Sequence, residues 1–94
     1  MTILPPPTSQ LQEVLYELIS NPFISVRQMI ADTGMLHCKA RVLDLRRMGI
    51  PIDTELVHLT NTYGRKAKFG QWSIPSEQKE KAVETYLKMI QDEQ

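Results

Sequence analysis

Ninety-four residues, 41% of them hydrophobic and 23% charged, make one small soluble domain with room for a single modest core. No apolar window reaches membrane-span length, and "MTILPPP" lacks the basic start and long apolar stretch of a secretory signal. Eleven Lys/Arg balance eleven Asp/Glu, which excludes a strongly basic or acidic protein, but the balance is local: residues 27–68 carry an excess of four positive charges, and the flanks an equal negative excess.

In chain order, the first ten residues are proline-rich and aperiodic. "PPP" favours an extended polyproline conformation, and residues 1–8 read as a flexible tail or a partner's ligand. Leu11, Val14, Leu15, Leu18 and Ile19 then recur at helical spacing. Ser9 and Gln12 have capping-box spacing, and Asn21-Pro22 stops the helix because a residue before proline is pushed out of the α region. "FIS" reads as a short extended link. Ser25 and Gln28 repeat the capping spacing, and Val26, Met29 and Ile30 anchor a second helix that Asp32-Thr33-Gly34 breaks. A third helix is expected over about 35–48, closed by Gly49. Two short helices joined by a glycine-containing turn form a helix-turn-helix unit.

"IPIDTELVHL" and "RKAKFGQWSI" are rich in β-branched and aromatic residues, and "TNTYG" between them is turn-forming. They predict a two-stranded hairpin with its loop near 60–65, Asn61 and Gly64 taking the positive-φ positions, and Pro51 at the strand's start or free edge. After Pro75 an acidic helix is expected over 76–92, with Ala82, Val83, Tyr86, Leu87, Met89 and Ile90 at helical spacing. The fold class is therefore mostly α with a small β-hairpin (α+β). Helix, helix-turn-helix, hairpin, helix is the order of a winged helix-turn-helix spanning 9–74, with 75–94 as an added amphipathic helix.

On the third helix, Met35, Cys38, Val42 and Leu45 make the expected buried face, with Cys38 a small core hydrophobe rather than a ligand or nucleophile. Leu36, His37, Ala40, Arg41, Asp44 and Arg47 take the opposite face, with Lys39 and Leu43 on its flanks. "ARVLDLRRMGIPIDTELV" followed by "YGRKAKFGQWSI" resembles the small helix-turn-helix domains common in phage and prophage genomes. Ala40, Arg41, Val42, Asp44, Leu45, Arg46, Gly49, Pro51, Ile52 and Thr54 carry the likeness, which covers about residues 10–74 and leaves the last helix outside. The resemblance implies a winged-helix fold and binding to double-stranded DNA; the single cysteine suits a reducing cytoplasm, expected to be that of a bacterial or phage-infected cell. Target and biological role do not follow from the resemblance.

The chemistry agrees with the resemblance. A helix about 10–12 Å across enters a major groove about 12 Å wide. Arginine's fork holds guanine O6 and N7 or clamps a phosphate. His37 would reach a base edge or phosphate, and Leu36 and Ala40, where exposed, thymine methyl groups. Arg46 and Arg47, near the helix C-terminus, suit the DNA backbone. Arg65, Lys66 and Lys68 at the hairpin tip suit phosphates or a minor groove, with Tyr63 either against the sugar-phosphate backbone or stabilising the turn. Against this stands a purely structural reading, in which Asp44 pairs with Arg41 or Arg47 and Arg46 complements the helix dipole. Trp72 and Phe69 read as packing, with an aromatic platform for single strands as the alternative.

The single cysteine excludes an internal disulfide, and His37, Cys38 and His58 are too few and ill-spaced for a structural zinc site. No phosphate-cradling loop, dinucleotide fingerprint, poised nucleophile or paired carboxylates occur, so neither an enzyme nor a cofactor is expected. The last helix packs on the first or makes a homodimer through Val83, Tyr86, Leu87 and Ile90; dimerisation is the favoured reading, presenting two recognition helices to a two-fold site. The competing class is a protein-interaction module, an adaptor or inhibitor on a winged-helix scaffold, for which neutral charge and exposed Leu36 and Leu43 are suited.

Overall fold

The apolar stripe of the first helix sets the core. In the computed structural model, which describes residues 4–92, α1 (Gln10–Ser20) buries Val14, Leu15 and Leu18. Ser9 caps it, its Oγ accepting from the Gln12 N–H at 3.2 Å. The buried Gln12 turns back, and its Oε1 accepts from the Thr8 N–H and hydroxyl at 2.8 and 3.0 Å. Helix α2 (Val26–Thr33) repeats the device, with Ser25 Oγ accepting from the Gln28 N–H at 3.1 Å. Gly34 closes it at φ 73°, a left-handed backbone that a β-carbon would strain.

Helix α3 (Cys38–Arg47) starts later than the periodicity implies. Met35 is buried, but Leu36 and His37 form a turn, and His37 at the N-cap makes no side-chain capping bond. Its other end is a Schellman motif: Gly49, at φ 93°, donates to Arg46 O at 3.0 Å, and Ile50 to Leu45 O at 3.2 Å. Leu45 and Ile50 are both buried in the core, which supplies the motif's hydrophobic contact.

The sheet is antiparallel and three-stranded, in the order β1-β3-β2, where a two-stranded hairpin was expected. The added member is "FIS", expected as a mere link: Ile24–Ser25 form β1, with Ile24 opposite Trp72 and Ser25 opposite Gln71. Two residues carry no alternation to detect, and the strand exists only because β3 lies beside it. Strands β2 (Asp53–Thr60) and β3 (Lys66–Ser73) pair along their whole length, from Asp53 opposite Ser73 to Thr60 opposite Lys66. The base is in the core through Ile52, Trp72 and Ile74, while every β2 residue except the half-buried Val57 is exposed. The hairpin thus leaves the body, in a molecule measuring 50 × 28 × 27 Å.

A short 3₁₀ turn (Ser76–Gln78) precedes α4 (Lys79–Asp92), which docks on α1 of its own chain. Ala82 and Tyr86 are buried, the Tyr16 and Tyr86 rings lie 5.8 Å apart, and Lys79 Nζ donates to Asn21 O at 3.1 Å. Two expectations change here. Tyr86, assigned to a two-fold interface, is enclosed within one chain; Val83 and Ile90 are half-buried, and Leu87 alone of that set is exposed. Nor are residues 4–8 a loose tail. The Tyr86 hydroxyl donates to Pro5 O at 2.6 Å and Leu4 packs against the core, making a strap; residues 1–3 of the expected tail lie outside those described.

Tyr86→Phe keeps the ring and removes the strap's hydrogen bond. It should cost about 1 kcal/mol in urea unfolding and speed proteolysis within residues 4–8; unchanged stability and protection would show that packing alone holds the strap. Burial, and then the nearby Asp32 charge, push the Glu17 carboxyl above the usual carboxylate range, partly offset by the Asn21 hydrogen bond. A raised folded-state pKa means that stability falls as pH rises through it. Glu17→Gln should therefore raise the melting temperature at neutral pH and lose that advantage in acid.

Candidate nucleic-acid interface

Cys38, Val42 and Leu45 are buried as the periodicity implies, and they set the rotation of α3. At 3.6 residues per turn the stripe of α3 facing away from the core is Ala40, Leu43 and Arg47, and Leu36 stands in the turn just before the helix. All four are exposed, Leu36 to 77% and Leu43 to 50%. On one side, Lys39, Leu43 and Arg46 look across a groove of about 310 Å³ to Thr54, Leu56 and Trp72. On the other, His37 and Arg41 border a hollow shared with Gln10 and Glu13 of α1.

The cations of α3 are unequally free. Arg41 Nη2 lies 3.3 Å from Asp44 Oδ2 and Arg47 Nη1 3.9 Å from Asp44 Oδ1, so two guanidiniums share one carboxylate. Such exposed pairs contribute little and break readily. Arg46 is not the free cation expected for a phosphate. Its Nε and Nη2 donate to Ile52 O at 3.1 and 2.8 Å, and Nη2 also donates to Thr54 Oγ1. The chain reversal at Gly49 brings β2 back alongside α3, and Arg46 becomes the strut between them. Lys39 is exposed and carries no ion pair among those found in the described residues.

Residues directly opposite in an antiparallel pair project to the same face. Thr54, Leu56, His58 and Thr60 therefore share a face with Trp72, Gly70, Lys68 and Lys66. This face turns toward α3, since Thr54, Leu56, Gly70 and Trp72 line the groove with it. Asp53, Glu55, Val57 and Leu59 share the other face with Ser73, Gln71, Phe69 and Ala67. The hairpin's lysines thus sit on the α3 side, and both its carboxylates on the far side.

At the tip, Asn61 Oδ1 accepts from the N–H groups of Tyr63 and Arg65, both at 2.9 Å. The Asn61 N–H donates to Arg65 O at 2.8 Å, and the Gly64 N–H to Asn61 O at 3.0 Å. Only Gly64 has positive φ; Asn61 shapes the loop through its side chain instead of a left-handed backbone. Asn61 stabilises the turn, and Tyr63 stands 93% exposed, with Arg65 also exposed beside it.

Cys38 is enclosed, and burial pushes its thiol up from the ordinary range. No group of three or more His, Cys, Asp or Glu able to hold a metal occurs among the described residues. Trp72 is buried and Phe69 half-buried beside Arg27, Gln28 and Ala31, which removes Trp72 as a platform for a base. Exposed Leu56 and Leu59 were not foreseen, because a strand pattern does not show that the hairpin outruns the core. No helix among the described residues is long and apolar enough to cross a membrane. No protein-family model and no curated protein matches the chain.

Arg46→Met keeps the stem and removes the fork. It should cost about 1.5 kcal/mol, the lower end for hydrogen bonds from a charged donor, and speed amide exchange across β2 more than in α1. Equal exchange in both elements would deny Arg46 its strut role.

Proposed function

We propose that the protein is a winged helix-turn-helix that binds double-stranded DNA, with α2 and α3 as the helix-turn-helix and the projecting part of the β2–β3 hairpin as the wing. Its role would be that of a phage-type or prophage-type transcriptional regulator or DNA-architectural factor. The observation that carries this reading is a shared groove: the hairpin face bearing Lys66 and Lys68 turns toward α3, whose Lys39, Leu43 and Arg46 line the groove's other side. Together they form one cation-rimmed concavity. Asp53 and Glu55 lie on the far face of the hairpin, and Glu77, Glu80 and Glu84 belong to the segment that docks on α1.

In this reading α3 lies in the major groove. Arg47 and the exposed Lys39 take phosphates or a guanine edge, and Arg41 and His37 work from the α1 side. The wing carries Arg65, Lys66 and Lys68 to the backbone, and Tyr63 meets sugar-phosphate or the minor groove. One chain suffices for this surface. Leu87, 41% exposed, is the one large exposed hydrophobic residue of α4 among the described residues, which leaves little for a two-fold contact there.

Exposed Leu36, Leu43, Leu56 and Leu59 favour the second reading, a protein-interaction module. The two differ in their response to salt. Phosphate contacts release counterions, so affinity for a fluorescent random-sequence duplex should fall linearly with log salt. Lys66→Ala/Lys68→Ala should flatten that slope by about 0.9 per lost phosphate contact. No binding at low salt by a folded chain would overturn the DNA reading and turn the leucines toward a protein partner.

A further inference from the structure

We infer that α3 reads the C5-methyl groups of thymine, so that the duplex it selects is rich in A·T pairs where the helix enters the major groove. This rests on the DNA-binding reading above and adds the chemistry of recognition to it. Ala40 and Leu43 on the outward stripe of α3, and Leu36 in the turn that leads into it, are apolar and exposed. The sequence of α3, CKARVLDLRR, contains no Asn, Gln, Ser or Thr, the side chains that pair with adenine or serve either base. Of its arginine forks, Arg46 is committed to Ile52 and Thr54, whereas Arg41 and Arg47 pair loosely with Asp44 and flank or follow the apolar residues. The polar side chains stand beside the leucines, Lys39 toward the hairpin and His37 and Arg41 toward α1.

An apolar stripe flanked by cations fits a groove whose walls are phosphate and whose floor carries methyl groups. The thymine methyl is the apolar feature that a base edge offers there. Ala40 and Leu43 differ by about 4.5 Å of helix rise, comparable with the roughly 3.4 Å between base pairs, so neighbouring side chains address neighbouring pairs. Asp44 would repel phosphate, but Arg41 and Arg47 neutralise it. Cytosine methylated at C5 presents the same methyl, and the test separates the two sources.

The full chain is used to select its tightest duplex from a random library. That duplex is then remade with deoxyuridine for thymidine, and separately with 5-methylcytosine for cytosine. Each contacted methyl removed should weaken binding about fourfold, and two about fifteenfold, with the salt slope unchanged because the phosphates are the same. A folded Leu36→Ala/Leu43→Ala variant, which keeps Ala40, should lose most of the discrimination between the thymidine and deoxyuridine duplexes; undiminished discrimination would overturn the assignment to these leucines. Equal affinity of the unmodified chain for both, with salt dependence intact, overturns the methyl inference and leaves DNA binding standing. Indifference to deoxyuridine with a gain from 5-methylcytosine overturns thymine as the source. Failure to bind any duplex at low salt removes the DNA reading, and this inference with it.

Discussion

The burial of Cys38, Val42 and Leu45 determines what the rest of the molecule presents. These residues lie on one side of a ten-residue helix, and their enclosure leaves α3 a single rotation. Once that rotation is set, the outward stripe, the side facing the hairpin and the side facing α1 follow from 3.6 residues per turn. Cys38 matters here as a volume. A larger side chain at that position would overpack the seam and turn or tilt the helix, changing every outward residue together. A neutral buried thiol is consistent with this passive role.

The hairpin poses the opposite problem, since most of β2 buries nothing. A lone two-stranded hairpin is marginally stable in water, and this one is secured at its base from three directions. Ile24 in β1 pairs with Trp72, Trp72 and Ile74 enter the core, and Arg46 binds the Ile52 carbonyl and the Thr54 hydroxyl from α3. The strut and the outward stripe therefore share a helix. A change in the tilt of α3 would move the hairpin too, so the concavity behaves as one body.

Elements whose chemistry is local were legible in the sequence. Both serine caps, the glycine closures after α2 and α3, the hairpin with its loop, and the buried face of α3 all follow from spacing and residue type. What escaped depends on long-range partners. A two-residue β1 has no pattern of its own and needs β3. Arg46 looks like a surface cation until the turn at Gly49 brings Ile52 within reach of its fork. The last helix has an apolar stripe that fits α1 or a second copy equally well on paper; the Tyr16–Tyr86 contact and the hydrogen bond to Pro5 place it in cis. For the candidate site, the cations and the pairing of Asp44 with Arg41 or Arg47 were visible, but the commitment of Arg46 was not.

The separation of charge on the hairpin is a matter of parity, which explains how a neutral chain acquires a basic face. Asp53 and Glu55 fall on odd positions of β2, and Lys66 and Lys68 oppose the even positions Thr60 and His58. A slip of one residue in the pairing would carry the lysines to the far face beside the acids and leave the α3 side without them. Two features oppose that slip. Trp72 must stay on the core face opposite Thr54, because turning outward would expose the largest side chain of the strand. The loop admits one length, since Asn61 Oδ1 spans the N–H groups of Tyr63 and Arg65 and Gly64 supplies the one left-handed residue. The electrostatic face is thus held by a tryptophan and an asparagine, neither of which carries charge.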